Sequence, residues 1–274
     1  MFKLQKKPIV VYLACEPLGY KFLNEFISNY KKYSSGYNHD LVICFKQFKN
    51  KEKIKIWEKN IKIKYIKFDD SRQKNDFDIG SYFRISKKYS DRHILFLGTY
   101  TKPISKNWLK IFINHYKNNT LLGATASFAS ISSQFLNGEY IKYSKFQQIR
   151  WGLKHLLHVK LFPNPHIRTT GFFIKSKDLL SLNLDTKKFL KKIETNYFES
   201  GRNSLSNRLL KKNFKLILVN SDNKSFKVSD WKKSETFCLG DQKKLIFSDN
   251  RTDQYFRLNK LERNKLTKLH WITN

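Results

Sequence analysis

The chain has 274 residues, with 54 Lys and Arg against 22 Asp and Glu, a formal charge of +32, and 40% apolar and 15% aromatic side chains. That content excludes a disordered chain, and no run approaches the roughly 18 apolar residues of a membrane span. Cys15, Cys44 and Cys238 are too few and too scattered for a disulfide framework or a zinc site, and two of them sit in apolar runs as core thiols.

In chain order, Pro8–Cys15 is β-branched and apolar and is ended by Glu16-Pro17. It predicts a buried first strand rather than a cleaved leader, and with it a cytoplasmic protein. Residues 18–33 carry Leu18, Phe22, Leu23, Phe26, Ile27 and Tyr30 at helical spacing. Asp40–Phe45 reads as a second strand, 51–59 as a helix, Ile61–Phe68 as an alternating strand and 79–89 as a helix. His93–Leu97 is another buried strand, Asn107–Tyr116 an amphipathic helix and Thr120–Ala126 a strand. Apolar strands alternating with amphipathic helices predict an α/β fold, a mostly parallel sheet covered by helices on both faces. In such sheets functional groups gather beyond the carboxyl ends of the strands. Those ends fall at Ala14–Glu16, Phe45–Gln47, Asp69–Asp70 and Gly98–Thr101.

The second half reads as an irregular stretch over 128–165 with a helix at Phe146–Val159, then a stiff turn at Phe162-Pro163-Asn164-Pro165. A strand follows at Ile167–Lys175, a helix at Ser204–Asn213 and a strand at Phe214–Val219. No linker or composition shift separates the halves, so a single domain over 1–274 is expected. There is no phosphate-cradling Gly-rich loop, no His-Glu-x-x-His helix and no Gly-x-Ser-x-Gly elbow. That excludes the usual kinases, nucleotide-dependent dehydrogenases, zincins and α/β-hydrolases. The charge leaves two readings open: a skew toward Lys, Asn, Ile, Phe and Tyr from AT-rich coding, or a surface for an anionic partner.

A resemblance rests on serial order. Pro8–Tyr33 resembles the opening βα unit of the GT-A fold of nucleotide-sugar glycosyltransferases, most like the inverting family 2. Asp78-Ile79-Gly80-Ser81-Tyr82, then Tyr89–Leu97, resembles that family's glycine-containing helix start and the strand leading to its acidic motif. Pro103–Leu109 resembles the segment after that motif. Phe198-Glu199-Ser200-Gly201-Arg202, with the helix and strand after it, resembles the acidic pair and following elements that hold a catalytic base. The likeness covers roughly residues 8–220. It implies a nucleotide-binding half over 1–126 and an acceptor and sugar-binding half over 127–274. Two departures stand out: Gly98-Thr99-Tyr100 replaces Asp-x-Asp, and Phe45-Lys46-Gln47 replaces the Asp after the second strand. Mn or Mg would therefore lack its usual ligands, and transfer without metal is an open alternative.

The resemblance implies Glu199 as catalytic base. It implies Ala14, Glu16, Lys46, Asp78, Gly80, Arg84, Gly98, Thr99 and Tyr100 around the donor, and His166, Arg168, Thr169, Thr170 and Gly171 around the diphosphate and sugar. Fixed cations can stabilise a departing diphosphate as a metal would, and Lys46, Arg84, Lys102, His166 and Arg168 are the candidates. The residues also admit plainer roles. Glu199 could serve a helix N-terminus electrostatically, with Ser200 or Asn203 as the cap. Asp78 could cap the helix at Ile79, Gly80 could allow close backbone approach of a ligand, and Arg202 could pair with a local carboxylate. Asp69-Asp70 falls too early to be a displaced metal motif, Asp249 and Arg251 are weak candidates in a strand-end turn, and Trp151 and Trp231 read as surface or core anchors. Leu258–Trp271 is basic and amphipathic and packs on the body or lies on a membrane.

The implied partners are a nucleotide-sugar donor, a surface-polysaccharide or lipid-linked acceptor, and a peripheral contact at the inner face of a membrane. The alternatives are a degenerate scaffold that binds nucleotide or sugar without turnover, and a basic nucleic-acid-binding protein. No RRM, KH, zinc-finger or helix-turn-helix pattern supports the last, so no specific nucleic acid is expected.

Overall fold

A computed structural model describes residues 4–71, 76–186 and 191–272. The first half runs β1 (Ile9–Cys15), α1 (Tyr20–Lys32), β2 (Asp40–Lys46), α2 (Lys51–Lys59), β3 (Ile66–Asp70), α3 (Phe77–Lys88), β4 (His93–Leu97), β5 (Lys102–Pro103), α4 (Trp108–His115) and β6 (Thr120–Gly123). There follow β7 (Ala126–Ser127), α5 (Ile131–Leu136), α6 (Lys145–Leu156), β8 (His166–Ile167), β9 (Gly171–Lys175), α7 (Ser176–Leu180), α8 (Lys192–Ser200), α9 (Leu205–Leu210) and β10 (Lys215–Val219). The chain closes with β11 (Ser225–Lys227), β12 (Phe247–Ser248), α10 (Asn250–Arg257) and α11 (Lys260–Trp271).

The main sheet has eight strands in the order β11-β10-β6-β9-β4-β1-β2-β3. It is mostly parallel; β9 is antiparallel to both β4 and β6, and β11 to β10. Successive strand residues point to opposite faces, so the continuous apolar runs feed two cores. Val11, Leu13, Val42, Ile94 and Phe96 join Trp231 and Trp271 on one face. Val10, Tyr12, Ile43, Phe45, Leu95 and Leu97 join α1 and α4 on the other. The α/β expectation holds, and Cys44 and Cys238 are buried thiols.

The differences have local causes. The third strand begins at Ile66, because Ile61, Ile63 and Tyr65 reach the second core from irregular backbone. The expected strand Thr120–Ala126 ends at Gly123, where a Cβ would lie 2.5 Å from Ile167, and resumes as β7. The expected strand Ile167–Lys175 breaks at Arg168-Thr169-Thr170 into β8 and β9. Besides the expected helix, the stretch 128–165 contains α5, whose cap Ser130 accepts from the Ser133 amide. Asp249 caps α10 rather than ending in a turn, accepting from the Arg251 and Thr252 amides. Trp231 is fully buried, and Trp151 lies at the surface under Lys154. Within the former Leu258–Trp271 segment, α11 buries Trp271, whose indole donates to Phe237 O at 2.8 Å, so it packs on the body.

Candidate active site

The carboxyl ends of β1, β2 and β4 carry the expected groups to one edge of the sheet, where the break between β8 and β9 meets them. Gly98 N donates to Thr170 O (3.2 Å), and the Thr101 hydroxyl donates to the same carbonyl (2.7 Å). The Tyr12 hydroxyl donates to Thr99 O at 2.6 Å, and Tyr100 packs edge-on against Phe22. This turn holds Gly, Thr and Tyr with no carboxylate, and its Thr99 carbonyl and Thr101 hydroxyl are engaged within the protein. Its donor set does not fit a divalent ion. Among the described residues no cluster of three His, Cys, Asp or Glu could hold a metal.

Glu199 sits in the last turn of α8, not before a helix, so it opposes rather than complements the helix dipole. Ser204, not Ser200 or Asn203, caps the next helix. The Thr169 amide (2.7 Å) and hydroxyl (2.6 Å) both donate to Glu199 Oε2. No described protein group donates to Oε1. Asn164 ties the same two segments together, its Nδ2 donating to Ser200 O at 2.6 Å. Glu199 and the proline-framed segment therefore converge. They line a hollow of about 170 Å³ with His166, Arg168, Tyr197 and His270. His166 is buried, which depresses its pKa against the pull of Glu199, and its Nδ1 contacts Asn164 O at 2.8 Å. His270 is lowered to about 3 by burial and by the Arg168 charge, so both rings are neutral at physiological pH.

Asp78 lies in the first turn of α3 with its side chain exposed to solvent. Its carboxyl is pushed up to about 6 by desolvation, with Lys46 opposing and the charge of Glu199 adding to the rise. It does not cap α3; the cap position belongs to Asp76. Asp78 and Glu199 thus feel one another, and neither has a cationic partner among the described residues of a chain carrying 54 cations.

The expected cations are placed differently. Lys46 is 2% exposed and donates to Asp76 (2.7 Å) and Asp70 (3.4 Å). Arg84 grips Asp70 through two bonds of 2.7 Å and also bonds Asp76. Burial would raise the Asp76 carboxyl, but Arg84 and Lys46 outweigh it and hold the carboxyl low. The quartet of two cations and two carboxylates is closed on itself. Gly80 serves that network rather than a ligand, since a Cβ there would lie 1.7 Å from Asp76 Oδ2. Arg168 is buried, paired with Asp249 at 2.9 Å and stacked 3.9 Å from the Phe237 ring centre. Lys102 is shared between Glu25 (2.9 Å) and Asp253 (3.2 Å).

Of the remaining expectations, Ala14 is buried in the sheet. Glu16 is bound by Lys53 (2.8 Å) and the Lys49 amide (2.7 Å) at the entry to α2. Gly171 begins β9, against Phe247 and Ala124. Arg202 donates to the Leu156 carbonyl at 3.1 Å and not to a carboxylate. Cys15 joins the Asp78 side: its sulfur contacts Gln47 Oε1 at 3.0 Å, and burial with the Asp78 charge pushes the thiol up to about 11. Sequence reasoning missed Tyr197 and His270. Tyr197 stands two residues before Glu199 on α8, and His270 arrives from α11, far along the chain.

A groove of about 920 Å³ lies beside this hollow, between the α5–α6 connection and α11. Leu136, Ile141, Leu161, Leu269 and Ile272 line it, with Lys265 and Lys268 also present. Gln134 and Tyr140 border both spaces.

No protein-family model matches the sequence, and no curated protein matches it. Among solved structures, the apo form of the glycosyltransferase GlyE from Streptococcus pneumoniae has 12% identity and a TM-score of 0.41, covering 77% of this chain and 45% of that one. The galactosyltransferase LgtC, in complex with donor and acceptor sugar analogues, has 10% identity and a TM-score of 0.41, covering 78% and 73%. Mouse xyloside xylosyltransferase 1 has 8% identity and a TM-score of 0.37, covering 76% and 82%. This chain spans less than half the length of GlyE. Likeness at this level carries no residue role across to this chain. All three are glycosyltransferases, and this chain is similar to them over about three quarters of its length.

Proposed function

We propose that the protein is a GT-A-like glycosyltransferase that moves a sugar from a nucleotide-sugar donor to a lipid-linked or polysaccharide acceptor, with inversion and without a metal at the turn after β4. The observation that carries this reading is Glu199: one carboxylate oxygen is fixed by two donors from Thr169, and the other has no partner among the described residues. A carboxylate so oriented can accept the proton of an acceptor hydroxyl as that hydroxyl attacks the sugar. Asp78, raised toward neutrality across the same edge, would accept hydrogen bonds from donor hydroxyls. Lys46, Arg84 and Arg168 already have their charges matched by carboxylates, so in this reading they shape the site and do not clamp the diphosphate. The apolar groove beside the hollow favours the lipid-linked acceptor, with the cytoplasmic face of a membrane as its place of work.

The carboxylate-free turn after β4 favours a second reading, a scaffold that binds nucleotide or sugar without turnover. Glu199→Gln separates the two. With a panel of nucleotide-sugar donors and mass-spectrometric detection of product, the variant should lose on the order of 10²–10⁴ in rate. Calorimetry should find donor binding nearly intact. Transfer that persists in the variant removes Glu199 as base, and donor binding without any wild-type transfer selects the scaffold.

A further inference from the structure

One face of α6 is covered by no other part of the protein among the described residues. Phe146, Ile149, Leu153 and Leu157 follow at steps of three, four and four residues, which aligns them in one stripe. They are 76%, 52%, 56% and 75% exposed. The opposite side of the helix does the packing. Gln148, Gly152 and His155 are buried there; a Cβ at Gly152 would lie 2.7 Å from Leu136, and His155 stacks on Phe135. The outward stripe is therefore surplus to the fold, and four large apolar groups in a row on a surface mark a contact.

Charge selects the occupant. Between Glu139 and Asp178 the sequence contains no acid. Lys145, Arg150 and Lys154 stand exposed on the same helix as the stripe, and none forms an ion pair among the described residues. An apolar stripe on a helix that also carries unpaired cations is the pattern of a helix lying in a lipid interface. A second copy of a chain carrying +32 would be repelled. A nucleic acid offers phosphates but no apolar phase for Phe146 and Leu157.

We propose that this face of α6 rests on an anionic bilayer, with the four apolar side chains at the acyl boundary and the cations of the helix among headgroup phosphates. Of the two roles the sequence left open for the terminal segment, packing on the body is the one its helix takes. Bilayer binding is read without any activity, so its failure and the failure of glycosyl transfer are separable.

The test is co-sedimentation of the full chain with vesicles of phosphatidylglycerol and phosphatidylcholine, against vesicles of phosphatidylcholine alone. The wild type should bind the anionic vesicles at least about tenfold more tightly, and added salt should weaken that binding. The triple variant Phe146→Ser, Leu153→Ser, Leu157→Ser should lose about tenfold or more, with an unchanged unfolding midpoint. Phe146→Trp, a conservative reporter, should show a blue-shifted emission when anionic vesicles are added. Equal binding by the triple variant, no preference of the wild type for anionic vesicles, or an unshifted reporter overturns the proposal. So does self-association of the wild type that the triple variant abolishes, which would assign the stripe to a second copy.

Discussion

Asp78 and Glu199 are unusual because the chain is rich in cations and neither forms an ion pair among the described residues. Leaving a carboxylate unpaired beside another carboxylate costs stability, and Asp78 carries that cost in a form that can be measured. Its folded pKa of about 6 stands above the ordinary aspartate value of 3.8. Between those values the folded protein holds a proton that the unfolded chain has released, so stability falls as pH rises through the window and stays reduced above it. Asp78→Asn removes the ionisation and is expected to raise the melting temperature at about pH 7.5, with the gain over wild type shrinking toward about pH 4. A gain independent of pH, or none at neutral pH, would show that Asp78 ionises freely. The paired groups behave in the opposite sense. Asp249 is buried, which alone would raise its carboxyl, but Arg168 and the α10 amides hold it low. That stability is present at neutral pH and is lost as acid protonates Asp249.

At the scale of elements, α3 is fastened to the sheet by ions as well as by apolar contacts. Asp76 at its start, and Ser81 and Arg84 within it, meet Lys46 and Asp70 from the ends of β2 and β3. The Asp76 carboxylate passes over the position where residue 80 would carry a side chain. Gly80→Ala is therefore expected to displace Asp76 and leave Lys46 with its more distant partner only. Breaking one partner from a buried ionic cluster costs about 3 kcal/mol or more, readable as a lower midpoint in urea unfolding. A change under about 1 kcal/mol would mean that the helix accommodates the methyl and that the quartet is not taut. The break between β8 and β9 has its own logic: it turns the Thr169 amide and hydroxyl out of any ladder and onto Glu199.

At the scale of the whole molecule, the sheet unites the halves. β9, from the second half, lies between β4 and β6, so these two strands of the first half do not touch. A fragment ending at residue 126 would expose the flanks of both strands and the apolar residues beneath them. Such a fragment is expected to aggregate or remain unstructured by circular dichroism, while the intact chain unfolds in one transition followed by any probe. A soluble, cooperatively folding 1–126 fragment would show two independent units instead.

The amino-acid sequence by itself determined the α/β alternation and most elements of the first half. Strands buried on both faces and helices with one apolar side leave a pattern within a few residues of chain. It also carried the late glutamate and the proline-framed segment as candidates. Tertiary structure alone decided what those groups touch. Lys46 and Arg84 read as free cations until Asp70 and Asp76 are brought around them, and Arg168 until Asp249 reaches it from far along the chain. Glu199 meets Thr169 across 30 residues. The antiparallel insertion of β9 is likewise invisible locally, because an apolar run between two strands reads the same in either direction. Local pattern records burial and backbone preference; the pairing of charges and the order of strands are set by which distant segments arrive together.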